Sequence, residues 1–378
     1  MIIVYCIAGT YRPAGMERVL TDKANWLAAH GHEVTVVTTD QHGRADAFPF
    51  DDQVRRIDLG IHYEENNGKS LANKLLKYPG KQLRHRRRLA RLLKTLRPDV
   101  TVSRFCTEVG FLPRIHDGSA KGLEVHFSRF KRLQYGRKGL WGLADRLMSR
   151  KDLRDVQRYD RFVVLTREDM GYWGDLPNMT VIPNALAHRP EKPSDLQAKV
   201  ISAIGRYAPQ KGLDRLIDAW RLVAGMHPDW QLRLVGDGEL REELQEQIDR
   251  LNLGENVLLG KATDDMDTVY RNTSILALSS HYEGLPMVLL EAQAYGVPAV
   301  AFTCQCGPRD VITDGVDGIL VPEGDVNALA QALDGLIREP ERLREMGRNA
   351  FRAADRWDRE TIMEQWTELF ENASSSRR

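Results

Sequence analysis

The chain opens on an unbroken apolar run over residues 2–7, followed by a glycine-containing loop over 8–15, helical spacing over 16–29 and a second apolar strand over 33–38. Strand, helix and strand in that order predict a βαβ unit. The same grammar restarts near the middle, with a strand over 199–204, a loop over 205–212, a helix over 213–226 and a strand over 231–235. A repeated beginning predicts two doubly wound α/β domains in tandem rather than one long sheet. The junction falls at Val181-Ile182-Pro183-Asn184-Ala185, beyond which Pro190 and Pro193 mark a polar linker. Near the end, Ile362, Met363, Trp366, Leu369 and Phe370 recur at helical spacing. The expected division is a first Rossmann-like domain over 1–186, with residues 357–378 packing back on it, and a second over 187–356.

At 378 residues the chain has room for two such cores. A hydrophobic share of 42% beside 28% charged residues excludes a disordered or collagen-like chain. No run of about 18 apolar residues occurs, and the first strand has neither a basic leader nor a cleavage site, so a cytoplasmic chain is expected. Cys6, Cys106, Cys304 and Cys306 are few, and no second Cys or His pair near Cys304-x-Cys306 completes a zinc set. The net charge of +1 conceals an asymmetry. Residues 1–180 hold 32 Lys and Arg against 21 Asp and Glu, or +11, and the remainder 22 against 32, or −10. Such a split points to an anionic surface or substrate at the first half.

The most specific segment is His281-Tyr282-Glu283-Gly284-Leu285-Pro286-Met287-Val288-Leu289-Leu290-Glu291-Ala292. A strand over 275–278 leads into its polar loop, Pro286 suits a first helical turn, and Gly296 before Val297-Pro298 ends the helix. That places Glu283 in the loop and Glu291 on the helix. Backbone N–H groups of Gly284, Leu285, Met287 and Val288, around Pro286, would face a ligand phosphate at the positive end of the helix. Glu291, about one turn deeper, carries the acceptor oxygens a ribose diol requires. The bland alternative is an ordinary βα turn with surface glutamates.

With these residues the chain resembles the retaining, two-domain bacterial glycosyltransferases that carry a Glu-x7-Glu motif, family four, of GT-B fold. Besides Glu283 and Glu291 the resemblance takes in Gly15-Met16-Glu17-Arg18, Val181-Ile182-Pro183-Asn184, Gly205-Arg206 with Lys211-Gly212, and Leu234-Val235-Gly236-Asp237-Gly238. It implies a donor held in the cleft between two Rossmann-like domains. It also implies that Arg206 and Lys211 hold the donor diphosphate, that Glu291 holds the ribose, and that Glu283 lies beside the donor sugar. Fixed cations are also what a departing nucleoside diphosphate needs on physical grounds. Gly15, before the first helix, is the corresponding phosphate-approach candidate in the first domain. His126 resembles the histidine these enzymes place opposite the donor sugar, or else is a satisfied histidine at a strand end. The implied reaction is metal-independent transfer with retention from a nucleotide sugar, UDP-linked in preference to GDP-linked, without a further cofactor. Its acceptor would be a glycan or a lipid-linked group. A nucleotide-sugar epimerase and a non-catalytic nucleotide-sugar binder share the architecture.

Asp265-Met266-Asp267 looks like a metal-binding pair of another glycosyltransferase fold, but its surroundings read as the acidic start of a short helix, so no metal site is expected. Gly236-Asp237-Gly238 lacks the third glycine of a dinucleotide fingerprint, and a nicotinamide cofactor is not expected. Residues 69–97, opening at Lys69 and closing at Arg97, hold 11 Lys and Arg and no acid, interleaved with leucines. This basic amphipathic stretch fits an anionic membrane surface or a solvated helix whose leucines face the core. Nucleic acid is not expected, because no recognition fold or aromatic platform accompanies the charge. A second basic run over 129–138 agrees with the membrane reading, and with it a chain peripheral on the inner face of the plasma membrane.

Overall fold

The computed structural model describes residues 1–66, 71–133 and 139–377. Their contacts divide the chain into two units, Met1–Ala185 with Arg359–Arg378, and Leu186–Asp358.

The first unit is a seven-stranded parallel sheet built from β1 (Ile2–Cys6), β2 (Glu33–Thr38), β3 (Arg55–Asp58), β4 (Val100–Ser103), β5 (Ala120–Glu124), β6 (Arg161–Val164) and β7 (Met179–Val181). The strands lie in the order β3-β2-β1-β4-β5-β6-β7. Its helices are α1 (Gly15–Ala29), α2 (Leu71–Leu96), α3 (Gly139–Val156) and α4 (Arg167–Trp173). The second unit is a six-stranded parallel sheet in the order β10-β9-β8-β11-β12-β13. These are β8 (Val200–Ile204), β9 (Gln231–Val235), β10 (Val257–Leu259), β11 (Ile275–Leu278), β12 (Ala299–Phe302) and β13 (Gly318–Val321). Around it lie α5 (Leu213–Ala224), α6 (Arg241–Arg250), α7 (Met266–Arg271), α8 (Met287–Ala294), α9 (Pro308–Val311), α10 (Val326–Arg338) and α11 (Pro340–Ala353). A last helix, α12 (Arg359–Ser375), belongs to the first unit.

Parallel strands covered on both faces read as continuous apolar runs, which is why β1 shows no polar alternation. Its successive side chains nevertheless serve two cores. Ile3 and Tyr5 pack with Leu20, Ala24 and Leu27 of α1 and with Ile362, Met363, Trp366 and Phe370 of α12. Val4 and Cys6 pack on the other face with Leu89 and Leu93 of α2, Phe162 and Trp173. The second core takes four leucines of the basic stretch, while Leu83 is exposed. Leu89 and Leu93 are buried, and Leu92 and Leu96 pack against the same cluster. Arg84, Arg86, Arg87, Arg91 and Lys94 are left exposed. Residues 69–70 of that stretch and 134–138 of the second basic run lie outside the described residues. Among the described residues no helix is long and apolar enough to cross a membrane.

Glycine is demanded where two loops cross in the second unit. A Cβ on Gly236 would lie 2.0 Å from the carbonyl oxygen of Gly205, so the loops after β8 and β9 can touch only without a side chain there.

Trp366 is 2% exposed and brings α12 onto the sheet. Trp366→Ala should destabilise the first unit by about 3–5 kcal/mol. Urea unfolding followed by a probe confined to that unit measures the loss, and a change below about 1 kcal/mol would show that α12 is dispensable.

Candidate active site

In a doubly wound sheet the ligand sits outside the carboxyl ends of the strands, where the strand order reverses. In the second unit the reversal lies between β8 and β11, because β9 is reached on one side of β8 and β11 lies on the other. The loops after these two strands carry five candidates in sequence. Arg206 and Lys211 follow β8, and Glu283, Gly284 and Leu285 follow β11. Pro286, Met287, Val288 and Glu291 continue into α8.

The two loops are tied directly. The Lys211 ammonium donates to Glu283 Oε1 at 2.8 Å, and the Ser280 hydroxyl donates to the same oxygen at 2.6 Å. The Glu283 side chain is 8% exposed and that of Lys211 20%, so the ammonium keeps an open side. Arg206 is exposed, and among the described residues its guanidinium has no carboxylate partner. The loop after β12 closes the floor: Glu283 N–H donates to the Gln305 carbonyl at 2.6 Å. Gly307, at φ 99°, leaves no room for a Cβ, which would lie 2.4 Å from Pro286 Cδ.

Pro286 takes a different place from the expected one. Its ψ of 102° keeps it extended as the flanking residue, and Met287 is the first helical residue. Proline's fixed φ suits either position, but here its carbonyl already accepts the bond from Leu289 N–H at 2.9 Å. The first turn of α8 starts without a side-chain cap. Glu291 is half-buried on α8 and accepts from the Tyr270 hydroxyl at 2.6 Å through Oε2. Tyr270 in turn stacks on Tyr295, ring centroids 5.1 Å apart. The Asp265-Met266-Asp267 segment is accounted for locally. Asp265 caps α7 by accepting from Thr268 N–H at 3.1 Å, and Asp267 accepts from Arg271 at 2.9 Å and Tyr295 at 3.0 Å.

Gly15 and His126 belong to the first unit, whose strand order reverses between β1 and β4. Gly15 is the first residue of α1, and an added Cβ there would meet open space, so no neighbouring atom of the chain itself requires glycine. His126 follows β5, and its side chain is 6% exposed. Its Nε2 lies 2.8 Å from Glu124 Oε1. Glu124, fully buried, also accepts from Lys23 at 2.6 Å and from Arg104 at 2.8 Å. Arg104 donates onward to the Met16 carbonyl at 2.9 Å, joining the start of α1 to the His126 segment. Despite burial, Arg104, Lys23 and His126 together hold the Glu124 carboxyl well below the ordinary carboxylate range. Burial, then the Arg104 charge, push His126 down to about 4. At neutral pH the ring is therefore uncharged, with its proton on Nε2 facing a carboxylate, and Nδ1 is left as an acceptor.

Sequence reasoning passed over Lys23, Arg104 and Glu124. One signal was present: Glu124 and His126 stand two apart in an extended segment, hence on the same side. Nothing in the sequence marked Arg104 or Lys23 as their partners, since both come from distant elements.

Residues 185–353 match the model of the glycosyl transferases group 1, and residues 13–188 that of Glycosyltransferase Family 4. The two parts of the chain are thus each similar to glycosyltransferases. Among curated relatives, the chain is 36% identical over 224 residues to an exopolysaccharide phosphotransferase of Streptomyces coelicolor. The match takes in 58% of this chain and 24% of that protein. It is 32% identical over 220 residues to the amylovoran biosynthesis glycosyltransferase AmsD of Erwinia amylovora, 56% of this chain and 62% of the relative. The chain thus spans less than two thirds of the length of these relatives. In structure the chain is similar to Staphylococcus aureus TarM, solved with UDP and α-GlcNAc-glycerol. The TM-score is 0.77 at 16% identity, over 98% of this chain and 99% of that one. That likeness shows the two-domain GT-B fold.

His126 supplies a pH test. Its folded pKa, about 4, lies below its unfolded value of about 6.5, so the unfolded chain binds one more proton between those limits. The stability of wild type relative to His126→Gln should therefore fall as pH is lowered from 6.5 to about 4, and be level above pH 7. Urea midpoints of the two proteins across that range check this, and parallel curves would place the proton elsewhere.

Proposed function

We propose that this glycosyltransferase moves a hexosyl group from a nucleoside-diphosphate sugar to a glycan or lipid-linked acceptor, in surface polysaccharide or glycolipid biosynthesis. The observation that carries the reading is the meeting of Lys211, Arg206 and the α8 N-terminus on neighbouring loops at the strand-order reversal of one sheet. A diphosphate leaving the anomeric carbon gains negative charge, and these groups are positive before it departs. Lys211 is held by Glu283 with its open side toward solvent, so it can meet phosphate oxygens without a search through rotamers. Glu291, steadied by Tyr270, takes the ribose hydroxyls. Glu283 lies beside the sugar. The acceptor hydroxyl then bonds to the anomeric carbon as the carbon–phosphate oxygen bond breaks, and its proton leaves with the diphosphate. Attack on the same face gives retention, which rests on the family resemblance.

In the first unit, His126 keeps Nδ1 as an acceptor and Gly15 opens onto free space, which supports the substrate-binding roles that the family resemblance implies for them. A uridine donor is favoured over a guanosine one because the similar TarM was solved with UDP. The amylovoran and exopolysaccharide relatives support a polysaccharide setting. The reaction needs no metal in this reading, since Asp265 and Asp267 are engaged in capping α7 and in holding Tyr295 and Arg271. The chain works in the cytoplasm, where its basic first unit meets the anionic inner face of the membrane and a lipid-linked acceptor.

Lys211→Ala and Arg206→Ala should each lower the transfer rate about a hundredfold, roughly 3 kcal/mol, with the fold intact, because both sit on a partly exposed loop. Glu291→Ala should instead weaken UDP itself. Calorimetry with UDP and turnover of a panel of UDP- and GDP-sugars separate the two effects. Near wild-type turnover in either cation variant would remove its assigned role. A chelator should leave the rate unchanged; activity lost to chelation and regained with Mn²⁺ would overturn the metal-free mechanism.

A further inference from the structure

A surface helix ordinarily turns its apolar stripe inward and its charges outward. Helix α3 does the reverse. Its buried stripe, one residue every three or four, is Asp145, Ser149, Asp152 and Val156, with Asp155 beside it. These polar groups are satisfied from within the unit. Arg129 donates to the Ser149 hydroxyl and, at 3.0 Å, to its carbonyl, and Arg132 donates to Asp152 at 2.6 Å. Asp155 is bridged by Lys151 and Arg158. On the opposite stripe, at the same spacing, stand Leu143, Leu147, Arg150 and Arg154. Leu143 and Leu147 are each 55% exposed, Trp141 54% and Met148 46%. They include four of the largest exposed apolar side chains among the described residues.

We propose that this outward face of α3 is a lipid-contact surface, laid in the headgroup region of an anionic bilayer with Leu143 and Leu147 inserted. Charge decides the occupant. All three aspartates of the helix are folded inward, where Lys151 pairs with Asp155, and the outer face adds Arg146, Arg150 and Arg154 to its leucines. Leucines flanked by arginines match an interface that is apolar inside and anionic at its edge. Nucleic acid would have no use for the leucines, and Leu89, Leu92, Leu93 and Leu96 of α2 pack into the core. The proposal extends the membrane-surface partner suggested above. Its readout is vesicle binding, so failure of the sugar-transfer assays leaves it standing.

The test is sedimentation of the full chain with phosphatidylcholine vesicles, with and without phosphatidylglycerol. Wild type, Leu143→Ser/Leu147→Ser, and Arg86→Ser/Arg87→Ser/Arg88→Ser are compared. Wild type should sediment with the anionic vesicles only, and the leucine variant should partition at least about tenfold less while keeping its circular dichroism and its affinity for UDP. The α2 arginine variant should bind within about threefold of wild type. Brominated lipid should quench the emission that Leu147→Trp adds to that of wild type, which tests the same face without removing its apolar character. Unchanged binding of the leucine variant, or added emission of Leu147→Trp that brominated lipid leaves unquenched, overturns the proposal. So does a wild-type dimer that ignores vesicles and that Leu143→Ser/Leu147→Ser splits in the ultracentrifuge, which would give the face to a second copy of the chain.

Discussion

All the strands of each unit run the same way, and this constraint decides where chemistry can happen. Parallel strands deliver their carboxyl ends to one edge and their return helices start there, so free N–H groups and loop side chains gather at that edge. At the reversal between β8 and β11 a crevice opens that no crossover covers, and the two loops flanking it are the ones that Lys211 and Glu283 tie together. The same holds in the first unit between β1 and β4, where Arg104 bridges the start of α1 to Glu124 and His126.

The two edges solve opposite electrostatic problems. In the second unit the cations keep contact with water, Lys211 at 20% exposure and Arg206 exposed. In the first, one carboxylate with three basic partners is sealed from solvent. Removing such charges from water costs several kcal/mol per ion, so the arrangement is a poor way to gain stability. It is a good way to fix geometry. Lys23 sits 3.4 Å above the Trp366 ring, Arg104 holds a main-chain carbonyl, and the histidine is left in one tautomer.

Most of the architecture was legible because parallel strands covered on both faces leave apolar runs that nothing interrupts. The run at 2–7 and its counterpart at 199–204 appear as β1 and β8, and the spacing at 362–370 as the inward face of α12. In the second unit the candidates lie close together because they are local: Glu283 to Glu291 is one loop and one helix. The Glu124 group was opaque for the converse reason, since its members come from α1, the loop after β4 and the end of β5. The inverted face of α3 was missed as well. A helix pattern gives the angle between its polar and apolar stripes but not which of them meets the sheet, and only the arginines at 129 and 132 make the acidic side the inner one.

The return of α12 to the first unit makes that unit discontinuous along the chain, whereas the second is a single uninterrupted stretch. On a ribosome, residues 1–185 emerge first but lack Ile362, Trp366 and Phe370, so one face of their sheet stays uncovered while the whole second unit is made. The order of completion is therefore inverted with respect to synthesis: the later domain can close while the earlier one waits. During that interval the apolar groups of β1 and α1 are open to the wrong partners, the hazard for which nascent chains need chaperones.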